Sequence, residues 1–464
     1  MSEVVKLEHR DGIAIFTVNN PPMNALSAAV EAGVRKCVDA AIADPSVKGI
    51  VLACAGRTFI AGADIPEFGK PRNPSAWNEL LAAMEDSPKP IVAAIHGNAF
   101  GGGLELALGC HFRVATGDAR LGLPEVKLGL LPGGGGTQRL PRAVGPELAV
   151  KMIVGGEPIS AAEAQKSGLI EEIVDSPQAG GEAFVRRVLA ENRRPRRLRD
   201  DDSKLAAAKG DRSIFINAVA SMTRRARGMD APFVAAAAVG FAIDLPFDEG
   251  IKKEREAFYQ LEAGDQSKAQ RHAFFAEREA RKLAGVAEGT KARPVERVAI
   301  IGAGTMGGGI AMSFANAGIP VTLIETAEEP LRRGMSVMQK NWEATAARGG
   351  IPADAPAERM ALVNGVVGID QVHGADLAIE AAFETMSVKK EIFGQLDRHA
   401  KAGAVLATNT SYLDIDEIAN ATRRPQDVLG MHFFSPANVM KLCEIVRGAK
   451  TAPEALVTAV EGKR

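Results

Sequence analysis

The sequence predicts an α/β protein in two parts joined by a helical stretch, and three observations carry that reading. Residues 1–190 alternate short β-branched runs with helical patterns. Residues 191–290 turn rich in Ala, Arg, Glu and Lys, with helical periodicity. After the punctuated stretch AEGTKARP at 287–294, VERVAIIGAGTMGGGIAMSFANAGIPVTLIE restarts a strand, a turn, a helix and a second strand. The expected divisions are therefore 1–190, 191–290 and 291–464. A length of 464 residues exceeds one ordinary core and agrees with two or three domains.

Taken in order, IAIFTV (13–18), GIVLACA (49–55) and PIVAAIHG (90–97) are apolar and β-branched, and read as strands separated by helices. The longest apolar run, APFVAAAAVGFAIDL (231–245), is short and interrupted, and is expected as a buried helix rather than a membrane span. EGIKKEREAFYQLEAGDQSKAQRHAFFAEREARKLAG (249–285) is helical in period almost throughout. The βα rhythm then continues through ADLAIEAAF, AVLATNTS and VLGMHFFSP, with one further helix start before Arg464.

Composition narrows the function classes. With 46% hydrophobic, 24% charged and 5% aromatic residues, the chain is globular rather than disordered or fibrous. A formal charge of −1 argues against chain-wide affinity for nucleic acid or anionic membrane. The basic runs RRPRRLRD (193–200) and TRRARG (223–228) are read as solvated helical faces. Cys37, Cys54, Cys110 and Cys443 show no CxxC spacing, which speaks against a disulfide framework or zinc site and fits a reducing compartment. The N-terminus lacks the pattern of a signal peptide, and the seven histidines show no HxxxH or HExxH pairing, so no metal site is expected.

The first chemical constellation is NAFGGGLELALG (98–109). Glycines at 101–103 let the backbone approach a ligand and offer amides at a helix N-terminus; they serve equally well to pack a helix closely on a strand. Glu105 tips the balance, because an unpaired carboxylate in an apolar helix costs several kcal/mol. Glu125, in ARLGLPEVKLGLLPGGGGTQRL, is by itself an ordinary loop glutamate. A helix of about 8 residues and a strand of about 5 have similar lengths, of order 12–17 Å, so a helix followed by a returning strand can bring the two carboxylates together.

IAIFTVNNPPMNALS, GRTFIAGADIPEF and AFGGGLELALGCHFRVATGDARLGLPEVKLGLLPGGGGTQRL together resemble the crotonase, or enoyl-CoA hydratase, superfamily over most of residues 10–175. The resemblance implies a spiral of ββα units and an acyl-CoA thioester as substrate. It also implies an oxyanion hole made by the amides of Ala61 and Gly102, with Glu105 and Glu125 as the catalytic carboxylates. Both glutamates being present favours hydration of a 2-enoyl-CoA over decarboxylation or thioester hydrolysis, and it leaves open which is acid and which is base. Enoyl isomerisation, which uses the same groups, is the side activity it implies. The chemistry suits the residues: hydration builds enolate charge for amides to hold, and it moves two protons on one face of the substrate.

A lone GxGxxG is weak, but Gly302, Gly304 and Gly307 follow one apolar strand, open a helix and precede a second strand ending in Glu325, eighteen residues past the last glycine. That context predicts a Rossmann-type doubly wound domain holding NAD: its pyrophosphate lies at the helix N-terminus and its ribose hydroxyls on the acidic residue. AIEAAFETMSVKKEIF, ATNTSYLDIDEIA and GMHFFSPANVMKLCEIVRG resemble the NAD-binding half of the 3-hydroxyacyl-CoA dehydrogenases, from about 296 to 448. The resemblance makes His432 and Glu444 the catalytic dyad and Ser411 a ligand of the substrate oxygen. It puts Met306, Glu325, Glu384 and Lys389 at the cofactor, with Ser435 where many members carry Asn. Read alone, His432 on an apolar strand is a satisfied core histidine.

The order of parts, with PFDEGIKKEREAF and QRHAFFAERE between them, resembles the type-1 multifunctional enzymes of fatty-acid β-oxidation and the fatty-oxidation complex α-subunits. In that layout the 3-hydroxyacyl-CoA made at the first site is oxidised at the second. Such proteins act alone or with a thiolase subunit, in the cytoplasm or, in eukaryotes, in peroxisomes. They follow the NAD-binding half with a helical domain, so a chain ending at Arg464 reads as a fragment whose efficient dehydrogenation needs that further part. The competing readings are a hydratase with an inactive second half and a non-catalytic acyl-CoA or NAD sensor; paired carboxylates beside an oxyanion hole argue against the sensor.

Overall fold

The computed structural model describes residues 4–67, 76–224, 226–280 and 282–461, in two compact units, Met1–Arg278 and Glu279–Arg464. Phe68, which closes the GRTFIAGADIPEF segment, and Arg225 of the second basic run lie outside the described residues.

In the first unit a six-stranded sheet runs in the order Val5–Arg10, Ile13–Val18, Gly49–Cys54, Ile91–Ile95, Phe112–Thr116, Glu172–Val174. The first pair is antiparallel and every later pair parallel. The three central strands are buried along their whole length, as apolar runs covered on both faces should be. One face takes Phe184, Val185 and Val188 of helix Pro177–Ala190; the other forms the main core. A second sheet of Asn98–Phe100, Arg120–Gly122 and Ile159–Ser160 completes the strand–strand–helix repeats.

The helical stretch is a layer of this unit. Helix Ala231–Asp244 sinks Ala235, Ala238 and Val239 into the main core, as its composition predicts for a buried helix. Gly264 separates helices Phe247–Ala263 and Asp265–Glu279. Polar pins join this layer to the catalytic half: Gln138 Nε2 donates to the Ala238 carbonyl at 2.9 Å, and Ser267 Oγ to that of Leu128 at 3.0 Å. The Phe247 ring lies 5.0 to 5.2 Å from the guanidinium carbons of Arg139, Arg142 and Arg199.

RRPRRLRD does not form the solvated helical face expected of it. The preceding helix ends at Ala190, Pro195 breaks any continuation, and only Leu198–Asp200 makes a single 3-10 turn. Three of its five arginines are paired: Arg196 with Asp201, Arg197 with Asp86 and Asp200, and Arg199 with Asp248. Through these pairs the run cross-links the unit, while Arg193 lies over the Phe112 and Phe184 rings and Arg194 is exposed.

The second unit is a seven-stranded sheet in the order Val363–Val367, Val321–Glu325, Val298–Ile301, Leu377–Glu380, Val405–Thr408, Val428–Phe433, Cys443–Val446. All pairs are parallel except the last. The chain winds outward from Val298–Ile301 in one direction and from Leu377–Glu380 in the other. The crevice beyond the carboxyl ends of these two strands is the topological switch point of a doubly wound sheet.

One buried ion pair holds the first unit's helices together. Arg139 donates from Nε to Glu85 Oε1 at 3.0 Å and from Nη2 to Oε2 at 2.6 Å, and Glu85 is 2% exposed. Removing one member leaves the other charge buried, so Glu85→Ala should destabilise the first unit by about 3–5 kcal/mol. Urea unfolding of the whole protein measures this; a change below about 1 kcal/mol would show that water relieves the stranded arginine.

Candidate active sites

In the first unit, strand Asn98–Phe100 turns at Gly101, with φ 53° and ψ −130°, into helix Gly102–Leu108. The glycines serve both purposes that the sequence allows. A Cβ on Gly103 would lie 2.3 Å from the Ile60 carbonyl oxygen, so that position is packing. A Cβ on Gly101 would lie 3.2 Å from Glu125 Oε1, so that position leaves room for a carboxylate. The Gly102 amide, in the first helical turn, has no acceptor among the described residues. The Ala61 segment runs alongside, joined through the Ile60–Ala99 bridge and the bond from Phe100 N to the Ile60 carbonyl at 3.0 Å. Ala61 N itself is directed at the Met23 carbonyl over a long 3.3 Å.

Gly102, Glu105 and Glu125 line one cleft of about 530 Å³, with Leu26, Trp77 and Phe258 among its apolar walls. Glu105 is 5% exposed, and its Oε1 accepts from Gly134 N at 2.7 Å and Gly136 N at 2.9 Å. Its Oε2 has no hydrogen-bond donor among the described residues. Glu125 opens the 3-10 turn Glu125–Leu128, and its covered Oε2 has no partner among the described residues.

The two carboxyls are therefore unequal. Burial raises Glu105 above the usual carboxylate range, against the two amides and the positive charge of Arg139. Burial raises Glu125 further, and the neighbouring charges of Glu105 and Glu254 add to the rise. Glu125 is thus the carboxyl held further toward its protonated form, while the two amides that Glu105 accepts favour its ionised form.

Glu254 was not singled out by sequence reasoning. Buried at 1% exposure on helix Phe247–Ala263, it accepts from Gly135 N at 2.7 Å and from Thr137 N at 2.9 Å. Burial, with the charge of Glu105, pushes it up to about 8. The signal available was small: Gly250 and Glu254, four apart, are the positions this charged helix buries.

In the second unit the expected residues gather at the carboxyl end of the sheet. Gly302 has φ 104°, and a Cβ on Gly307 would meet the Gly302 carbonyl oxygen at 1.8 Å, so the turn and the helix Thr305–Asn316 close only on glycine. Nothing lies within 4 Å of a Cβ at Gly304, which leaves the helix N-terminus open for a phosphate; Met306 is half-buried on that first turn. Glu325 Oε1 accepts from Ala303 N at 3.1 Å, which ties the acidic residue to the glycine turn. These residues fit NAD.

Lys389 is buried rather than exposed to a ligand: its ammonium lies 2.9 Å from Glu380 Oε1 and 3.1 Å from Glu384 Oε2. Glu380, fully buried and unnoticed in the sequence, also accepts from Thr408 Oγ1 at 2.7 Å. Glu384 Oε1 accepts from Ser411 N at 2.8 Å and Ser411 Oγ at 3.2 Å. Burial pushes the Glu384 carboxyl up, but these donors and Lys389 outweigh it and hold it below its ordinary value. His432 and Glu444 face each other across the antiparallel pair, with Nδ1 2.9 Å from Oε2. Ser435, after the strand, is exposed.

Comparison with known proteins agrees with both halves. The family described as enoyl-CoA hydratase/isomerase matches residues 8–192, and that described as 3-hydroxyacyl-CoA dehydrogenase, NAD binding domain, matches residues 297–463. The peroxisomal bifunctional enzymes of Cavia porcellus and Homo sapiens are each 40% identical, over 473 and 469 residues, covering 99% of this chain and 64% of theirs. A peroxisomal fatty acid beta-oxidation multifunctional protein of Arabidopsis thaliana is 36% identical over 461 residues, covering 96% of this chain and 64% of its own. The chain thus spans 64% of the length of these relatives. It joins a domain of the enoyl-CoA hydratase/isomerase family to one of the 3-hydroxyacyl-CoA dehydrogenase NAD-binding family, in the order of the fused proteins to which it is similar.

Proposed function

We propose that the first unit adds water to a 2-enoyl-CoA and that the second takes part in the NAD-dependent oxidation of the resulting 3-hydroxyacyl-CoA. One observation carries the first assignment: two buried carboxyls, one accepting two amides and the other with a covered oxygen that has no partner among the described residues, share a cleft with a helix-terminal amide that likewise has no acceptor among them. The thioester oxygen accepts from Gly102 N, and from Ala61 N once that amide leaves its long bond to Met23. Glu105 Oε2 takes a proton from water as its oxygen bonds to the β-carbon, and Glu125 delivers its proton to the α-carbon. The proton then passes back from Glu105 to Glu125, and the net change is one water added. The same pair moves a proton between carbons in the isomerase side reaction.

In the second unit, NAD bound at the Gly302–Gly307 turn supplies the hydride acceptor. His432, with Nδ1 held by Glu444, takes the proton of the substrate alcohol at Nε2, and Glu444 stabilises the imidazolium. Ser411 offers its hydroxyl to the same substrate oxygen. Glu325 would hold the ribose hydroxyls of the bound cofactor, and Glu384, fixed by Lys389, orients Ser411 at the edge of the pocket. Described cysteines that are all free, three of them buried, suit a reducing compartment.

Loss of enoyl absorbance from crotonyl-CoA tests the first site. Gly102→Pro keeps a residue suited to a first helical turn but removes a donor, and should lower kcat by about 10²–10³-fold. Glu105→Gln should lower it by about 10²–10⁴-fold. Full hydration by either variant would refute the assignment. Because Glu125 must be protonated, kcat should fall as pH rises through its ionisation, at a pH above the usual carboxylate range. A profile flat to alkaline pH would exclude Glu125 as the acid. For the second site, His432→Ala should reduce NADH formation from 3-hydroxybutyryl-CoA by about 10²–10⁴-fold and leave NAD binding, read by quenching of protein fluorescence, intact.

A further inference from the structure

We infer that Glu254, supplied by the helical layer, is a positioning residue for hydration: it takes the amides of the glycine loop that Glu105 does not, and so fixes the two that Glu105 does. This rests on the hydratase reading of the first unit.

Four successive amides, those of Gly134 and Gly135 in the glycine loop and of Gly136 and Thr137 where it enters helix Gly136–Val144, divide between two buried carboxyls. Gly134 and Gly136 donate to Glu105, and Gly135 and Thr137 donate to Glu254. Thr137 Oγ1 also donates to Glu254 and accepts from Gln138 Nε2 at 2.8 Å, which leaves the hydroxyl hydrogen only one direction. Consecutive amides of a loop cannot turn independently. With Glu254 lost, the Gly135 and Thr137 amides would be buried without acceptors, and the loop would move to find them, taking the Gly134 and Gly136 amides from Glu105.

Packing points the same way. Ile251, Glu254 and Phe258 share one face of helix Phe247–Ala263 at helical spacing, and that face rests on the loop. A Cβ on Gly133 would lie 2.5 Å from Phe258 Cδ2, and one on Gly135 would lie 3.1 Å from Ile251 Cδ1. The helix thus requires the glycine at 133, while Gly134 is hemmed in by Trp77 and Glu105, Gly135 by Arg139, and Gly136 by Glu105 and Pro132. The charged neighbours are Glu105 and Glu125 across the loop and Arg139, whose guanidinium is held by Glu85; Glu31, Arg35, Glu67, Glu79 and Arg255 line the rest of the cleft that Glu125 faces. Glu254 thus acts on the reacting groups through the loop and through its charge, without touching the substrate.

The test is crotonyl-CoA hydration by the whole protein, wild type against Glu254→Gln, as a function of pH. The glutamine keeps the size of the side chain but presents an NH2 to one set of amides. Expected are a wild-type far-UV circular dichroism spectrum, KM within about twofold, and kcat lowered by about 100-fold. The alkaline limb should move to lower pH, because a charge that helps Glu125 keep its proton is gone. A kcat within twofold of wild type and an unmoved limb would overturn the inference while leaving the hydratase reading intact. An inactive wild type would instead overturn the hydratase reading. Should Glu254→Gln fail to fold, Thr137→Val decides, since it removes one donor to the carboxylate: a fall in kcat at unchanged KM supports positioning, and an unchanged kcat refutes it.

Discussion

The segment Gly133–Thr137, a glycine turn running into helix Gly136–Val144, is clamped between two buried carboxyls, and the rest of the first unit is arranged around that clamp. Glu105 comes from a helix of the catalytic half and Glu254 from the helical layer. Four amides are satisfied only if both are in place. The demand for acceptors explains why carboxylates are tolerated in an otherwise apolar interior, and the demand for close approach explains the glycines. It also explains why the helical stretch is part of the first unit. Its removal would strip an acceptor from buried amides and a wall, Phe258, from the cleft.

The two sites use buried charge in opposite ways. In the first, three carboxyls crowd a small volume with Arg139 as a nearby cation: burial raises all three, the charge of Glu105 raises Glu125 and Glu254 further, and that of Glu254 adds to Glu125. In the second, Lys389 lies buried between Glu380 and Glu384, and hydroxyls and amides complete the set. That arrangement keeps Glu384 ionised and its partners oriented, which suits a pocket wall rather than a proton carrier. His432, by contrast, has its partner Glu444 directly opposite on the neighbouring strand.

Much of this was legible along the chain because it is local. The strands Ile13–Val18, Gly49–Cys54 and Val298–Ile301 follow from β-branched apolar runs, and the turn at Gly302–Gly307 from glycines set between a strand and a helix. The buried helix Ala231–Asp244 follows from its composition. RRPRRLRD was misleading because a run of like charge says nothing about carboxylates such as Asp86 and Asp248, which are distant in sequence and meet it only in the folded unit. The inequality of Glu105 and Glu125 was illegible for the same reason, since it is set by amides and charges 29 or more residues away from Glu105.

The sequence by itself determined the α/β rhythm, the two glycine-rich turns and which residues resemble catalytic ones, because these depend on periodicity and on short-range backbone geometry. Only the tertiary structure decided the allegiance of the helical stretch, the pairing of Lys389 with Glu380, and the role open to Glu254. In the sequence Glu254 is one glutamate among several on a charged helix. It becomes an acceptor for the glycine loop only when packing brings residues more than a hundred positions apart to within hydrogen-bonding distance and shuts out water, which would otherwise compete for the same amides.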